Sequence, residues 1–250
     1  MSTSDDHLAA MPRGTGLGVV AALPGEARAL ARLRPLGQTR LRGGGQLRLS
    51  GIGAIRARQA AMALVDQGAT ALLSWGTSGA LAPYLDPGAI ILASSVVNAD
   101  GRTRASDHAW REALACELAT HHAVYEGAIA ESRDIVADPM GKQRLYETSG
   151  AIACDMESAA IAEVAAEHGI RFMALRAIID DANMTLPPVA LAAMDADGHL
   201  RPGGLLSAIA SEPRRLHAQL RSLKQLAVAF RAARNSLGDA ARLIVDGEHE

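Results

Sequence analysis

The sequence predicts an α/β fold: a three-layer sandwich whose central sheet is mixed but mostly parallel and is flanked by helices, plus a C-terminal helical extension. Three observations predict it. Short, continuous apolar runs of strand length recur as far as Asp181, they alternate with stretches of helix formers, and Gly or Pro punctuates the junctions. A chain of 250 residues with 49% hydrophobic and 21% charged content can bury a full core, and α/β chains of this size commonly fold as one unit. Residues 1–250 are therefore expected to form a single domain, with a polar, disordered 1–13 and with 184–250 as the helical extension.

Taken in order, Leu17 to Leu23 is an apolar strand. Pro24 and Gly25 turn it, and Glu26 to Leu33 reads as a helix with a carboxylate in its first turn, where the helix dipole favours negative charge. Gly43 to Gly45 read as a hairpin-like turn between two short polar strands, with backbone freedom as their simplest role. Gly51 and Gly53 lead into a helix over Ala54 to Gln67; a G-x-G of this kind is weak evidence for a ligand. Ala71 to Trp75 is a compact apolar strand, followed by the small residues Gly76 to Ala80. Small residues let a backbone approach a ligand closely, and the hydroxyls of Thr77 and Ser78 can hold a sugar, a phosphate or a water; the plain alternative is a tight turn. Ala89 to Val97 is a strand of parallel-sheet character, Asn98 to His108 a polar loop, Trp110 to His122 a helix, and Val124 to Ala130 a strand. Glu131 to Pro139 is a loop in which the apolar pair Ile135 and Val136 faces either the core or a ligand.

The stretch from Cys154 to Asp181 carries the chemistry. Ala159 to His168 is a run of strong helix formers, Gly169 supplies a left-handed stop, and Phe172 to Ile179 is a buried strand. Carboxylates mark its joints, with Glu157 where the helix begins and Asp180 where the strand ends. Parallel sheets collect ligands at such strand ends. After Asp181, Pro187, Pro188 and Pro202 interrupt regular structure. From Leu205 to Leu237 the chain becomes helical and basic, with Pro213 opening a second helix. Leu216, Leu220, Leu223, Ala227 and Phe230 fall at helical spacing, with Arg214, Arg215, Arg221, Lys224, Arg231 and Arg234 between them. That pattern fits a helix packed on the core with a solvated basic back, or a basic amphipathic surface that touches anionic lipid.

Composition excludes several classes. A formal net charge of -2 argues against nucleic acid as a partner, since that footprint is a basic surface. Cys116 and Cys154 are the only cysteines and form no C-x-x-C pair, so neither a metal site nor a disulfide framework is expected, and a reducing cytoplasm fits. No apolar run is long enough to span a bilayer, and the polar N-terminus does not read as a signal peptide.

Asp155-Met156-Glu157-Ser158-Ala159-Ala160-Ile161-Ala162, followed by Arg176-Ala177-Ile178-Ile179-Asp180, resembles the signature of the nucleoside phosphorylase superfamily, in its methylthioadenosine/S-adenosylhomocysteine nucleosidase branch. The resemblance extends to Gly51-Ile52-Gly53 and to Gly76-Thr77-Ser78-Gly79-Ala80-Leu81, in family order. Leu186-Pro187-Pro188 and the long basic helix are similar to the hopanoid-associated members, which act on adenosylhopane. The resemblance implies an enzyme that cleaves an N-ribosidic bond and releases adenine, with a homodimeric assembly and no cofactor. Its partner is a small adenosyl substrate with a lipid tail as one form, and its place the cytoplasm, with peripheral contact at the inner membrane surface as an extension.

Cleaving that bond needs an acid for the departing base and a nucleophile for the sugar. The resemblance gives Asp180 the acid's role at N7 of the purine and Glu157 the ribose diol, with Met156 a wall under the sugar. Burial or the like charge of Asp181 would keep Asp180 protonated, and the helix dipole would help Glu157 stay ionised. Thr77 and Gly79 sit in the small-residue loop, and Ile135 and Val136 match the loop that reads adenine. Glu26 aligns with the glutamate that activates water, which would pair it with Asp180 as in an inverting glycosidase. Phosphate is the alternative co-substrate. Ser74 stands where phosphorylases carry an arginine, which favours hydrolysis, yet Leu23-Pro24-Gly25 with Arg28 is somewhat like a phosphate loop, and Arg56 or Arg133 would be further donors. Ile179 replaces a serine, Asn183 an aspartate and Ile135 an aromatic of the nucleosidases. Two readings of other kinds remain, a nucleoside-binding domain without turnover and a plain α/β scaffold.

Overall fold

The computed structural model describes residues 11–12, 14–32, 37–188, 191 and 216–245. Residues 1–10 and 13 of the expected disordered terminus lie outside them, as do 189–190 and 192–215, with Pro202, Pro213, Arg214 and Arg215. Met11 is packed in the core.

The strands are β1 (Leu17–Ala21), β2 (Gln38–Arg40), β3 (Gln46–Leu49), β4 (Ala71–Ala80), β5 (Ile90–Val97), β6 (Thr103–Ala105), β7 (Val124–Glu131), β8 (Ala153–Asp155) and β9 (Arg171–Asp180). The helices are α1 (Pro24–Leu30), α2 (Ala54–Asp66), α3 (His108–Leu118), α4 (Pro139–Ser149), α5 (Ser158–Glu167) and α6 (Leu216–Val245). These described strands form one sheet. β1 pairs in parallel with β3 and β4, β4 with β9, β5 with β7, and β7 with β8. Antiparallel pairs join β2 to β3, β5 to β6, β5 to β9 and β4 to β8. The ladder β4–β9–β5–β7–β8 therefore returns to β4 and closes on itself.

The expected mixed, mostly parallel sheet flanked by helices is what forms, and both faces of it are covered. One apolar cluster joins α2 and α5 to the sheet through residues such as Leu64, Ile161 and Val164. The other joins α1, α3 and α6 through Ala27, Leu114 and Leu237. A strand buried on both faces reads as a continuous apolar run, as in Ala71 to Leu73 of β4 and Phe172 to Leu175 of β9.

Several local expectations change. Gly76 to Ala80 is not a turn; strand pairing with β9 and β8 carries β4 through it. β5 is parallel only towards β7, and the loop after it contains β6. α4 and β8 were not anticipated. α6 packs on the core through Ala233, Leu237, Ala240 and Ala241, which share one helical stripe with the buried Ala229. Its earlier turns are more open: Lys224 and Ala227 are exposed, as is Val228 at 62%. The packed reading of the helix thus holds for its second half. Among the described residues no helix is long and apolar enough to cross a membrane.

Candidate active site

Glu26 is placed by a short helix start. Leu23 is extended, Pro24 opens α1, and the Glu26 carboxylate reaches back to accept from the Leu23 N–H at 2.9 Å, which satisfies one of the donors that every helix start leaves open. The other carboxylate oxygen accepts from Thr77 twice, from its N–H at 2.8 Å and its hydroxyl at 2.7 Å. A Cβ on Gly76 would stand 2.8 Å from that carboxylate, so the glycine leaves the space Glu26 occupies. Glu26 is buried, and burial pushes its pKa up against the Thr77 bonds and the charge of Arg176.

Glu157 stands at the entrance of α5, and its carboxylate accepts from the Gly53 N–H at 2.8 Å and weakly from that of Met156 at 3.3 Å. Gly53 can present its N–H because its φ of 102° is open to glycine and strained for other residues. Burial first, then the neighbouring Asp155, push Glu157 up to about 7. Burial and a like charge thus act against the dipole expected to keep it ionised.

Beneath Glu157 lies a buried ionic knot. Arg176 donates to Asp155 at 2.7 Å, to Ser74 at 2.6 Å and to Ser158 at 2.9 Å. Asp155 also accepts from the backbone N–H of Glu157 and Ser158 and from the Ser158 hydroxyl. The side chains of Arg176 and Asp155 are 3% and 2% exposed, so nearly every charge is met inside the protein. Ser74 therefore serves Arg176. Asp155 also supports Glu157 directly, by accepting its backbone N–H.

Asp180 ends β9 at an irregularity. Ser78 pairs with Ile178 but Gly79 pairs with Asp180, so Ile179 is the extra residue of a bulge. Bulges re-aim the side chains beside them. The Asp180 carboxylate lies over Gly79, where a Cβ would come within 3.3 Å of it. Asp180 is buried, and burial leads in raising its pKa, helped by Asp181 and opposed by Lys142. Lys142 was missed from sequence. It is wholly buried, and its ammonium donates to Asp180 Oδ2, to the Asp181 carbonyl at 2.5 Å and to the Met184 carbonyl at 3.2 Å. One trace of it exists in composition: the chain has two lysines, Lys142 and Lys224, against 23 arginines. The Cys154 thiol nearby is pushed up to about 12, by burial first and by Asp180 and Asp155 next, which makes it inert.

One cavity of about 180 Å³ collects these groups. Its lining includes Glu26, Glu157, Asp180, Met156, Thr77, Gly79, Ile135 and Val136, so every side chain singled out as a site residue from sequence meets there. Leu23, Ile52, Leu186, Leu191 and Leu226 add apolar wall. Among the described residues no arginine or lysine lines it; Arg28 and Arg133 are exposed, and Arg56 is half-buried outside the lining. No group of three or more His, Cys, Asp or Glu among the described residues is arranged to hold a metal.

A closed parallel-rich sheet with buried carboxylates at its strand ends defines a class of small-molecule site. Residues 17–198 match the family model of the phosphorylase superfamily, and the chain belongs to that family. Over 85 residues it is 32% identical to the 5'-methylthioadenosine/S-adenosylhomocysteine nucleosidase of Shewanella sp. (strain W3-18-1), a match spanning 34% of this chain and 34% of the relative. The curated relatives are thus matched over about a third of their length. Among solved structures, futalosine hydrolase of Helicobacter pylori strain 26695 superposes with a TM-score of 0.61 at 22% identity, covering 84% of this chain and 96% of that one. Campylobacter jejuni 5'-methylthioadenosine/S-adenosylhomocysteine nucleosidase gives 0.61 at 21%, with 82% and 100% covered. The H. pylori nucleosidase with butyl-thio-DADMe-Immucillin-A gives 0.62 at 22%, with 86% and 98% covered. At these identities the likeness is one of fold.

Proposed function

We propose that the protein hydrolyses the N-ribosidic bond of an adenosyl compound and releases adenine. The observation that carries this reading is the meeting of Glu26, Glu157 and Asp180 in one buried cavity. In this reading a water attacks the anomeric carbon as Glu26 accepts its proton, the C–N bond breaks, and Asp180 gives its proton to N7 of the departing base. Glu157 accepts from the ribose diol. Burial suits both catalytic groups: it holds a proton on Asp180 and makes Glu26 a stronger base than an exposed carboxylate. Thr77 holds Glu26 in place while lining the cavity.

Water is favoured over phosphate because a phosphate dianion calls for buried or bidentate cations, and the described lining supplies carboxylates without them. The apolar wall of Leu23, Ile52, Leu186, Leu191 and Leu226 suits a greasy 5' substituent. That supports adenosylhopane as substrate, with a ribosyl lipid as second product; the same reading carries a homodimer at the inner face of a membrane as its working form. The small thioethers of methylthioadenosine and S-adenosylhomocysteine fit the same chemistry. Adenine release from adenosylhopane and methylthioadenosine, each with and without phosphate, tests both levels. We expect phosphate-independent release, faster from the lipid. Strict phosphate dependence would replace hydrolysis by phosphorolysis, and a strong preference for the small thioether would remove the lipid.

Gly76→Ala probes the base without touching a carboxylate. Its methyl group would enter the space of the Glu26 carboxylate, and displacement of a reacting group by about 1 Å costs on the order of 10²-fold. The expected result is a loss of that order in kcat with nucleoside affinity little changed, read from steady-state rates and from titration with a non-hydrolysable analogue.

A further inference from the structure

We propose that Lys142 is a positioning residue for the acid, holding Asp180 by one carboxylate oxygen so that the other faces the base, and balancing the charge that appears when Asp180 gives up its proton. The inference rests on the reaction read above.

Lys142 sits in the first turn of α4, which Asp138 caps by accepting from the Gly141 N–H at 2.9 Å. From there its stem runs inward until the ammonium is wholly buried. An ammonium has three protons to donate and no acceptor capacity. It meets three acceptors here, Asp180 Oδ2 and the carbonyls of Asp181 and Met184. A compact point charge with three donors fits that triangle, and the flat five-donor fork of arginine does not. In a chain with 23 arginines, this is where one of its two lysines stands.

The three bonds act on different parts of the site. The bond to Oδ2 fixes the rotation of the Asp180 carboxyl and leaves Oδ1 free towards the cavity that Asp180 lines. Those to Asp181 and Met184 pin the turn after β9, where the Met184 N–H also bonds the Asp181 carbonyl and the Leu186 N–H the Ala137 carbonyl. That turn delivers Leu186 to the wall.

The same contact bears on the proton. Asp180 must enter the reaction protonated and leave it ionised. Burial alone would hold the proton too tightly, and a fixed positive charge at Oδ2 stabilises the carboxylate that forms. The charged and titratable groups acting on Asp180 are Lys142 from α4 and Asp181 from the turn, and the Cys154 thiol of β8 lies near enough to feel its charge. Lys142 is the single cation among them, so its removal leaves burial and Asp181 unopposed.

Lys142→Met is the test, read as kcat against pH. Activity needs protonated Asp180 and falls as pH rises through its pKa. Loss of the cation raises that pKa, so the alkaline limb should move up by about one pH unit or more. Lys142→Arg, which keeps a charge but not the triangle, should hold the limb near the parent's position with a lower plateau. A plateau that falls in Lys142→Met with the limb unmoved would overturn the proposal, and so would failure of both variants to fold, checked by circular dichroism. Because only a parent that releases adenine yields a limb to follow, an inactive parent would instead strike the reaction itself. The proposal then fails with it, while titration of a nucleoside analogue still reports whether the cavity binds.

Discussion

Asp180→Asn should abolish most turnover while leaving the cavity able to bind nucleoside. The amide keeps a carbonyl oxygen for the Lys142 ammonium and an N–H that can meet N7, so the buried contacts of the carboxyl survive in outline. What it lacks is a proton to give. General acid catalysis is worth on the order of 10²–10⁴-fold, and a loss in kcat of that size is expected, with the dissociation constant of a non-hydrolysable adenosine analogue changed by less than about tenfold. A drop in binding as large as the drop in kcat would make Asp180 a recognition residue. A parent protein that binds nucleoside and turns over none of the adenosyl compounds would instead define a binding domain.

Arg176→Met should be strongly destabilising. The guanidinium is nearly inaccessible and donates to Asp155, Ser74, Ser158 and the Leu175 carbonyl. Methionine fills some of its volume and none of its bonds. Removing one partner of a buried pair leaves an uncompensated charge, at a cost of about 3–5 kcal/mol. Urea unfolding should show that loss as a lower midpoint with an unchanged slope. The damage is also electrostatic, because Arg176 lowers the pKa of both Glu26 and Glu157. Removing it raises both further, so a folded fraction would need a higher pH to ionise Glu26, and the acidic limb of its rate profile would move up. A variant as stable as the parent would show that Asp155 finds its counter-charge elsewhere.

The alternation of apolar runs and helix formers was enough to read the sheet and its flanking helices, because a strand buried on both faces is written in consecutive apolar residues. Glu26, Glu157 and Asp180 were legible for a related reason, each lying at a strand end or helix start where one crevice collects them. What stayed hidden depends on partners far away in the chain. β8 is three residues long and exists because β4 and β7 supply its hydrogen bonds. Gly76 to Ala80 is made of turn-prone small residues, and pairing with β9 overrides that preference. The bulge at Ile179 is a mismatch between two strands and has no local signature. Lys142 stands between Gly141 and Gln143 in a polar helix, and its burial is decided by Asp180 and the turn beyond it. The upward push on the pKa of Glu157 was hidden for the same reason, since the dipole is local and the burial is not.

β4 touches both carboxylates proposed as base and acid, Glu26 through Thr77 and Asp180 over Gly79. Those anchor points are two residues apart on one strand, a separation of about 6.6 Å that backbone geometry alone sets. An acid and a base that must admit a water between them stand about 6.5–9.5 Å apart in inverting glycosidases. In the proposed reaction the strand sets the spacing between the anchor points of base and acid on that same scale. Such a length is among the least deformable in a protein. In the proposed reaction the apolar rim formed by Leu23, Leu186 and Leu226 can vary with the 5' group while the anchors of base and acid keep the spacing that β4 sets.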